Sequence, residues 1–267
     1  MNSPRISEPT SLESNVTKVL VTCERHGEYQ ASQFRLPFAD KPITSSCPTC
    51  NAEFRAEDER RKREAARRDK QERVAALFKR SGIPERFADR RLSNYAATTA
   101  GQKRALGIAE RFVDSFGDGL TAGASLVLAG KPGTGKTHIA CGIGRALIEQ
   151  TRSVLFMTVL QALRYVKDTY RRESTRTESD AVADLLRPDL LILDEIGAQL
   201  GSEHEKMLMF EIINERYQRC RSTILISNLT GEELTTFLGD RVMDRFRESG
   251  AVLAFDWDSH RGQRGVA

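Results

Sequence analysis

The chain has 267 residues, 39% of them hydrophobic and 29% charged, enough apolar material for one or two packed domains. No apolar run approaches the roughly 20 residues of a membrane-spanning helix, and residues 1–14 lack the basic-then-apolar pattern of a secretory leader. This leads to the expectation of a cytoplasmic protein with no membrane partner. Lys and Arg number 41 against 37 Asp and Glu, and the net charge of +4 neither requires nor excludes nucleic acid. Five cysteines without a leader argue for reduced thiols, some of them metal ligands, over a disulfide framework.

Residues 1–54 hold three of the five cysteines. Cys23 and His26 form one pair and Cys47 and Cys50 another, each with two residues between the donors and 20 residues between the pairs. Two such knuckles supply four nitrogen and sulfur donors, which suits tetrahedral Zn²⁺. Four ligands leave no open position, so the metal is expected to be structural. Gly27 and Pro48 fit knuckle turns, and 28–42 reads as a small hairpin, giving a zinc-ribbon-like domain over 1–54. Cys141 and Cys220 are expected in the core or on a helix face, with no metal role.

Residues 55–80 form a charge block with 11 basic and 6 acidic residues, a net +5. The block has no Gly or Pro and is rich in Ala, Glu, Arg and Lys, so it reads as a helical linker. Ser81-Gly82-Ile83-Pro84 then interrupts the chain. The third domain, 81–267, alternates. Apolar runs at 125–129, 153–157, 190–194, 223–227 and 251–255 read as buried strands of a parallel five-stranded sheet. Segments of helical length lie at 138–150, 160–186, 203–219 and 232–247. Strand and helix in alternation predict an α/β fold with right-handed crossovers.

Gly130-Lys131-Pro132-Gly133-Thr134-Gly135-Lys136-Thr137 fits the phosphate-loop pattern without a mismatch, follows an apolar run and opens a helix starting near His138. The glycines let backbone N–H groups curl around a phosphate, and the helix N-terminus adds a positive dipole end. Lys136 is expected to reach the β- and γ-phosphates of a nucleotide, and the Thr137 hydroxyl to ligate Mg²⁺. Leu190-Leu191-Ile192-Leu193 ends in Asp194 and Glu195. Asp194 would face the same Mg²⁺, while Glu195, one step on, would polarise a water for attack on the γ-phosphate. A further strand ends at Ser227-Asn228, where Asn228 could bind that water or the γ-phosphate. Arg241 and Arg245, four apart, share one face of a helix.

These residues resemble a known family. Gly82-Ile83-Pro84-Glu85-Arg86-Phe87, the loop and His138, the run at 190–199, Ser227-Asn228-Leu229-Thr230, the run at 238–247 and the run at 255–261 occur in the order seen in DnaC-type replicative helicase loaders. The resemblance covers roughly 81–261. It implies an AAA+ P-loop ATPase core with a minimal lid, ATP and Mg²⁺ as cofactors, and a replicative DNA helicase of the DnaB type as partner. It makes Asn228 the sensor-1 residue, Arg241 an arginine finger offered to a neighbouring subunit, with Arg245 its companion, and Arg261 the sensor-2 arginine. Ile83, Phe87 and Tyr95 would line the adenine side. Some members carry a metal-binding N-terminal domain that grips the helicase, whereas the best-studied bacterial DnaC has a helical one.

The segment 160–186 is too long for one crossover helix and resembles the extra helix of initiator and loader ATPases. It carries Arg164, Tyr165, Lys167, Tyr170, Arg171, Arg172 and Arg176, a mixture suited to single-stranded DNA. In a ring or spiral of ATP-bound subunits this face would line the pore. The alternative reading is an IstB-type transposition helper ATPase, which shares the phosphate loop and strand plan. The zinc-ligand spacing, the run after Asp194 and the ending at 255–261 favour the loader. A P-loop kinase would need an acceptor site and a lid, neither of which is legible. A zinc-ribbon DNA-binding module whose ATPase serves only to oligomerise is the remaining rival.

Overall fold

The computed structural model describes residues 16–36, 41–118, 122–197 and 203–260. The chain divides into two compact units, 1–69 and 70–267.

In the first unit β1 (Val16–Cys23) pairs antiparallel with β2 (Gly27–Phe34), and β2 pairs with the short β3 (Ile43–Thr44). β1 and β2 turn at 24–26, so Cys23 closes the first strand and His26 sits in that turn, while the hairpin expected over 28–42 corresponds to the β2–β3 pair. The helix expected from 55 starts earlier: α1 (Pro48–Arg80) is one continuous 33-residue helix. Pro48 opens it, at the position where a missing N–H costs nothing. None of its residues is fully buried. Pairs four apart along it, such as Lys62 with Asp58 at 2.7 Å and Arg61 with Glu57 at 3.0 Å, add a few tenths of a kcal/mol each.

The second unit holds a five-stranded parallel sheet made of β4 (Ser125–Gly130), β5 (Val154–Thr158), β6 (Leu190–Ile196), β7 (Ser222–Ser227) and β8 (Gly250–Phe255), in the order β5-β6-β7-β4-β8. Seven helices surround it: α2 (Ala100–Asp114), α3 (Lys136–Glu149), α4 (Val159–Lys167), α5 (Glu178–Leu186), α6 (Glu203–Gln218), α7 (Gly231–Leu238) and α8 (Asp240–Ser249). Alternate strand residues serve opposite faces. Val127, Leu191, Leu193 and Leu225 pack under α4 to α8. Leu126, Leu128, Ile192 and Ile224 pack under α2 and α3. Each such buried side chain contributes about 1.5–3 kcal/mol.

The segment 160–186, too long for one crossover helix, is two helices, α4 and α5, with a short 3-10 turn at Asp168–Tyr170 after the first. Two features depart from the sequence reading. The segment 232–247 is also two, α7 and α8, broken at Gly239. Helix α2 had no counterpart. Its start is set by Thr99, whose hydroxyl accepts from the Gln102 amide at 3.3 Å while Gln102 Oε1 accepts the Thr99 amide at 2.8 Å, a reciprocal cap. Among the described residues no α-helix follows β8, and no helix is long and apolar enough to cross a membrane.

Candidate nucleotide site and metal cluster

The apolar residues of β4 are pinned inside the sheet, between β7 and the edge strand β8, and the chain leaves them through Gly130. At Gly130 (φ 126°) a Cβ would lie 2.5 Å from the Phe255 carbonyl, so only glycine permits this crossing. The loop closes at Gly135, which is the N-cap of α3 in a left-handed conformation, with the Tyr95 ring where a Cβ would stand. Thr134 is fully buried, and its hydroxyl donates to the Lys131 carbonyl at 2.8 Å. Lys136 is 5% exposed, and its ammonium donates to the Gly130 and Lys131 carbonyls at 2.7 Å each. Its charge is therefore held across the mouth of the loop. The loop's N–H groups, the first turn of α3 and this ammonium together form a seat for an anion of phosphate chemistry.

Strand order brings the other residues to the same carboxyl edge, where α/β sheets bind ligands. The Thr137 hydroxyl donates to Asp194 Oδ2 at 3.1 Å. Burial pushes the Asp194 carboxyl above its usual value, although Thr137 and Lys136 favour its charge. Oxygens of Thr137 and Asp194 side by side, one a half-buried carboxylate, are the donor set that Mg²⁺ prefers. Glu195 sits at a register shift in the β6–β7 ladder with φ 65° and is exposed. The left-handed backbone, which costs a non-glycine residue about 1 kcal/mol or more, swings its carboxylate out of the sheet. Asn228 follows the end of β7, which lies between β4 and β6, and is exposed. The His138 ring is occupied elsewhere: Nε2–H donates to the Arg91 carbonyl and Asn94 Oδ1 at 3.0 and 2.9 Å. Burial holds its pKa below the ordinary value. Ile83, Phe87 and Tyr95 pack on the α2–α3 side of the core. Arg261 lies outside the described residues.

Cys23, His26, Cys47 and Cys50 form the second cluster, with donor atoms all within 4.8 Å of one another. Cys23 and Cys50 sulfurs are 3.6 Å apart, and His26 Nδ1 is 3.2 Å from the Cys50 sulfur. Zinc–sulfur bonds of about 2.3 Å at tetrahedral angles place sulfurs roughly 3.8 Å apart, so the four donors fit that ion. The other ring nitrogen, Nε2, contacts Glu53 Oε1 at 3.1 Å. That carboxylate fixes the tautomer and turns Nδ1 toward the sulfurs. The hydrogen bond with Cys23, together with desolvation, pushes the Cys50 thiol up to about 11, while the Cys23 and Cys47 thiols are lowered, chiefly by backbone hydrogen bonds. Cys141 is buried and Cys220 exposed, both away from the cluster.

The family model described as IstB-like ATP binding protein matches residues 54–265. The replicative helicase loader DnaC of Buchnera aphidicola (subspecies Acyrthosiphon pisum) is 37% identical over 196 residues, 73% of this chain and 78% of that protein. DnaC of Escherichia coli K12 is 38% identical over 187 residues, 70% of this chain and 75% of that protein. The chain belongs to the DnaC helicase-loader family. A crystal structure of the DnaC helicase loader covers 64% of this chain and 99% of its own at a TM-score of 0.57 and 24% identity, and the shared fold is the AAA+ P-loop ATPase core. The IstB-like match begins at Phe54, so the four metal-type donors of this DnaC-family chain lie ahead of it.

Two further groups of residues named from that family resemblance take distinct environments. Arg241, in the first turn of α8, is exposed and has no ion-pair partner among the described residues. Arg245 instead lies over the Tyr217 ring at 5.2 Å, within its own chain. On the α4–α5 face of this DnaC-family chain the tyrosines are engaged. Tyr165 donates to Asp184 at 2.6 Å and receives Arg176, while Tyr170 binds Glu178 and contacts His204. Lys167 pairs with Glu205 at 2.6 Å and Arg171 with Asp168 at 2.9 Å. Arg164 and Arg172 are exposed without an ion-pair partner among the described residues. The sequence reading missed Arg216, which is fully buried and donates to Thr223, Leu185, Leu186, Pro188 and Ser222 at 2.6–3.2 Å. No motif marks it.

Proposed function

We propose that the chain is an ATP-dependent loader of a replicative DNA helicase that binds and hydrolyses ATP and holds single-stranded DNA during replication initiation. The observation that carries the reading is the coincidence of a complete phosphate loop and the Thr137–Asp194 contact with 37–38% identity to DnaC loaders over most of the chain. Residues 130–138 cradle the nucleotide, with Lys136 drawn from the loop carbonyls to the β- and γ-phosphates. Thr137 and Asp194 would hold Mg²⁺, which supplies charge neutralisation on those phosphates. Glu195 orients the attacking water and accepts its proton, and Asn228 hydrogen-bonds that water. Arg241 acts on the nucleotide of the next subunit in a ring or spiral, a reading supported by its lack of an ion-pair partner among the described residues. Arg245 then serves by holding α8 against Tyr217, and Arg261 remains the sensor-2 candidate.

Residues 1–54, with Cys23, His26, Cys47 and Cys50 around a structural Zn²⁺, form the partner-binding domain, and 55–80 is the charged helical linker to the ATPase domain at 81–267. Lys167, Arg171 and Arg172 contact the DNA backbone. The family model's description keeps the IstB-type transposition helper as the second reading. Affinity capture with the full chain from its source cell distinguishes them. A hexameric replicative helicase should be recovered in an ATP-dependent manner; recovery of a transposase in its place overturns the loader reading.

A further inference from the structure

The phosphate loop is held from behind by residues far from it in sequence. Trp257 Nε1 donates to the Thr134 carbonyl at 2.9 Å, and the Tyr95 hydroxyl donates to the same oxygen at 3.2 Å. The His260 amide donates to the Gly133 carbonyl at 3.0 Å. The Lys131 amide donates to the Phe255 carbonyl at 2.9 Å. All but Tyr95 and Lys131 come from one short segment, 255–260, that leaves β8 and runs back across the loop.

This arrangement has a consequence for the loop's donors. A trans peptide is planar, with its C=O and N–H pointing in opposite directions. Pinning the Gly133 and Thr134 carbonyls therefore also sets the direction of the Thr134 and Gly135 N–H groups. Left free, two glycine-flanked peptides would sample many orientations, and ordering them on binding would cost affinity. We propose that the segment 255–260 is a strap that pre-organises the Thr134 and Gly135 N–H groups for the polyphosphate of a nucleotide, with Trp257 and Tyr95 as positioning residues. The inference rests on the reading of the loop as the nucleotide site.

The strap is itself braced. The Trp257 ring lies 4.6 Å, centroid to centroid, from that of Phe255. It also covers Gly101 so closely that a Cβ there would come within 3.1 Å of it. Gln102, buried in the first turn of α2, places its Nε2 3.0 Å from His260 Nε2. Gln102 Oε1 accepts from the Thr98 amide, the Thr98 hydroxyl and the Thr99 amide. Helix α2, which otherwise has no link to the nucleotide, is thus the foundation on which the strap rests.

The test titrates ADP and ATP by calorimetry into the full chain, as wild type, Trp257→Phe, and Trp257→Phe with Tyr95→Phe. Tyr95→Phe removes only the hydroxyl, whereas Trp257→Phe removes the Nε1 donor together with part of the indole's packing surface. A fourth protein, Leu147→Ala, loses core packing under α3 without touching the loop carbonyls and shows what loss of stability alone does. The strap predicts affinity weakened about fivefold in Trp257→Phe and about 30-fold in the double variant, from roughly 1 kcal/mol per hydrogen bond. In Trp257→Phe, ATP turnover at saturating nucleotide should stay within twofold of wild type, because the reacting groups are untouched. Wild-type affinity in both variants, or a loss no greater than that of an equally destabilised Leu147→Ala, overturns the strap. A wild-type chain that binds neither ADP nor ATP removes the phosphate-loop reading itself, and with it the strap.

Discussion

In the proposed reading, Lys136 and Glu195 divide the chemistry of the site between holding and reacting. Lys136 is the cation that sits across the loop mouth, and Lys136→Ala should weaken ATP at least 100-fold, about 3 kcal/mol for a charge-assisted contact. Glu195→Gln keeps shape and hydrogen bonding, so ATP should bind normally while kcat falls by a factor of roughly 10² to 10³. Equal losses of affinity in the two variants would contradict this division. Arg216 gives a stability prediction. Burial pushes its guanidinium down to about 9, and its donors are shared among four backbone carbonyls and the Thr223 hydroxyl. Arg216→Met would leave these acceptors dry and unpaired. The expected loss is about 3 kcal/mol, seen as a fall in the thermal midpoint of roughly 10 °C for a unit of this size. A midpoint within a degree or two of wild type would show that those acceptors find water instead. Lys136, Thr137 and Asp194 were legible because contiguous motifs announce them. Trp257 and Tyr95 were not assigned to the loop, since they meet it across 123 and 39 residues of chain. Arg216 was not legible because an arginine on a helix reads as solvated until the neighbouring carbonyls are known.

At the scale of elements, β4 to β8 were legible to within a residue or two, since fully buried parallel strands appear as unbroken apolar runs. Helix α2 was missed because its apolar face is short and its cap, Thr99 and Gln102, is a local signal with no long periodic run behind it. The hairpin expected over 28–42 corresponds to the β2–β3 pair, whereas the β1–β2 turn at 24–26, between two of the metal-type ligands, was not anticipated. A metal held by those ligands would be the staple of a small unit with little core of its own. The full chain should contain about one zinc per molecule by elemental analysis, and because structural zinc contributes on the order of 10 kcal/mol, chelation should unfold the first unit. Nucleotide binding by the second unit should survive. Less than about half a zinc per chain in untreated protein counts against the cluster. For the α4–α5 face, replacing Lys167, Arg171 and Arg172 with alanine should weaken single-stranded DNA and reduce the salt slope by less than about 2, the value for three free cations at about 0.7 per phosphate contact. Two of those cations already have carboxylate partners, so the loss will be smaller than three free charges would give. Unchanged affinity would move DNA binding to the exposed arginines of α1.

At the scale of the whole molecule, the account requires more than one copy of the chain. Arg241 has no ion-pair partner among the described residues, and an arginine offered to a neighbour stabilises charge on the γ-phosphoryl group as the bond breaks. Arg241→Ala should bind ATP normally and hydrolyse it poorly. Mixed with Lys136→Ala on single-stranded DNA with helicase present, it should regain part of the activity. Some interfaces then join an intact ATP site to an intact arginine. Co-assembly of the two variants without any recovery would remove Arg241 from that role. The claim that ATP binding drives helicase loading is tested most directly on a closed circular single strand bearing an annealed oligonucleotide. Purified replicative helicase from the source cell is added with the wild-type chain or Lys136→Ala, and displacement of the oligonucleotide is measured. The account predicts displacement well above the helicase-alone level with the wild type and ATP, and none above that level with Lys136→Ala. Displacement that Lys136→Ala supports as well as the wild type, or no stimulation by a wild-type chain that binds both ATP and the helicase, would contradict it.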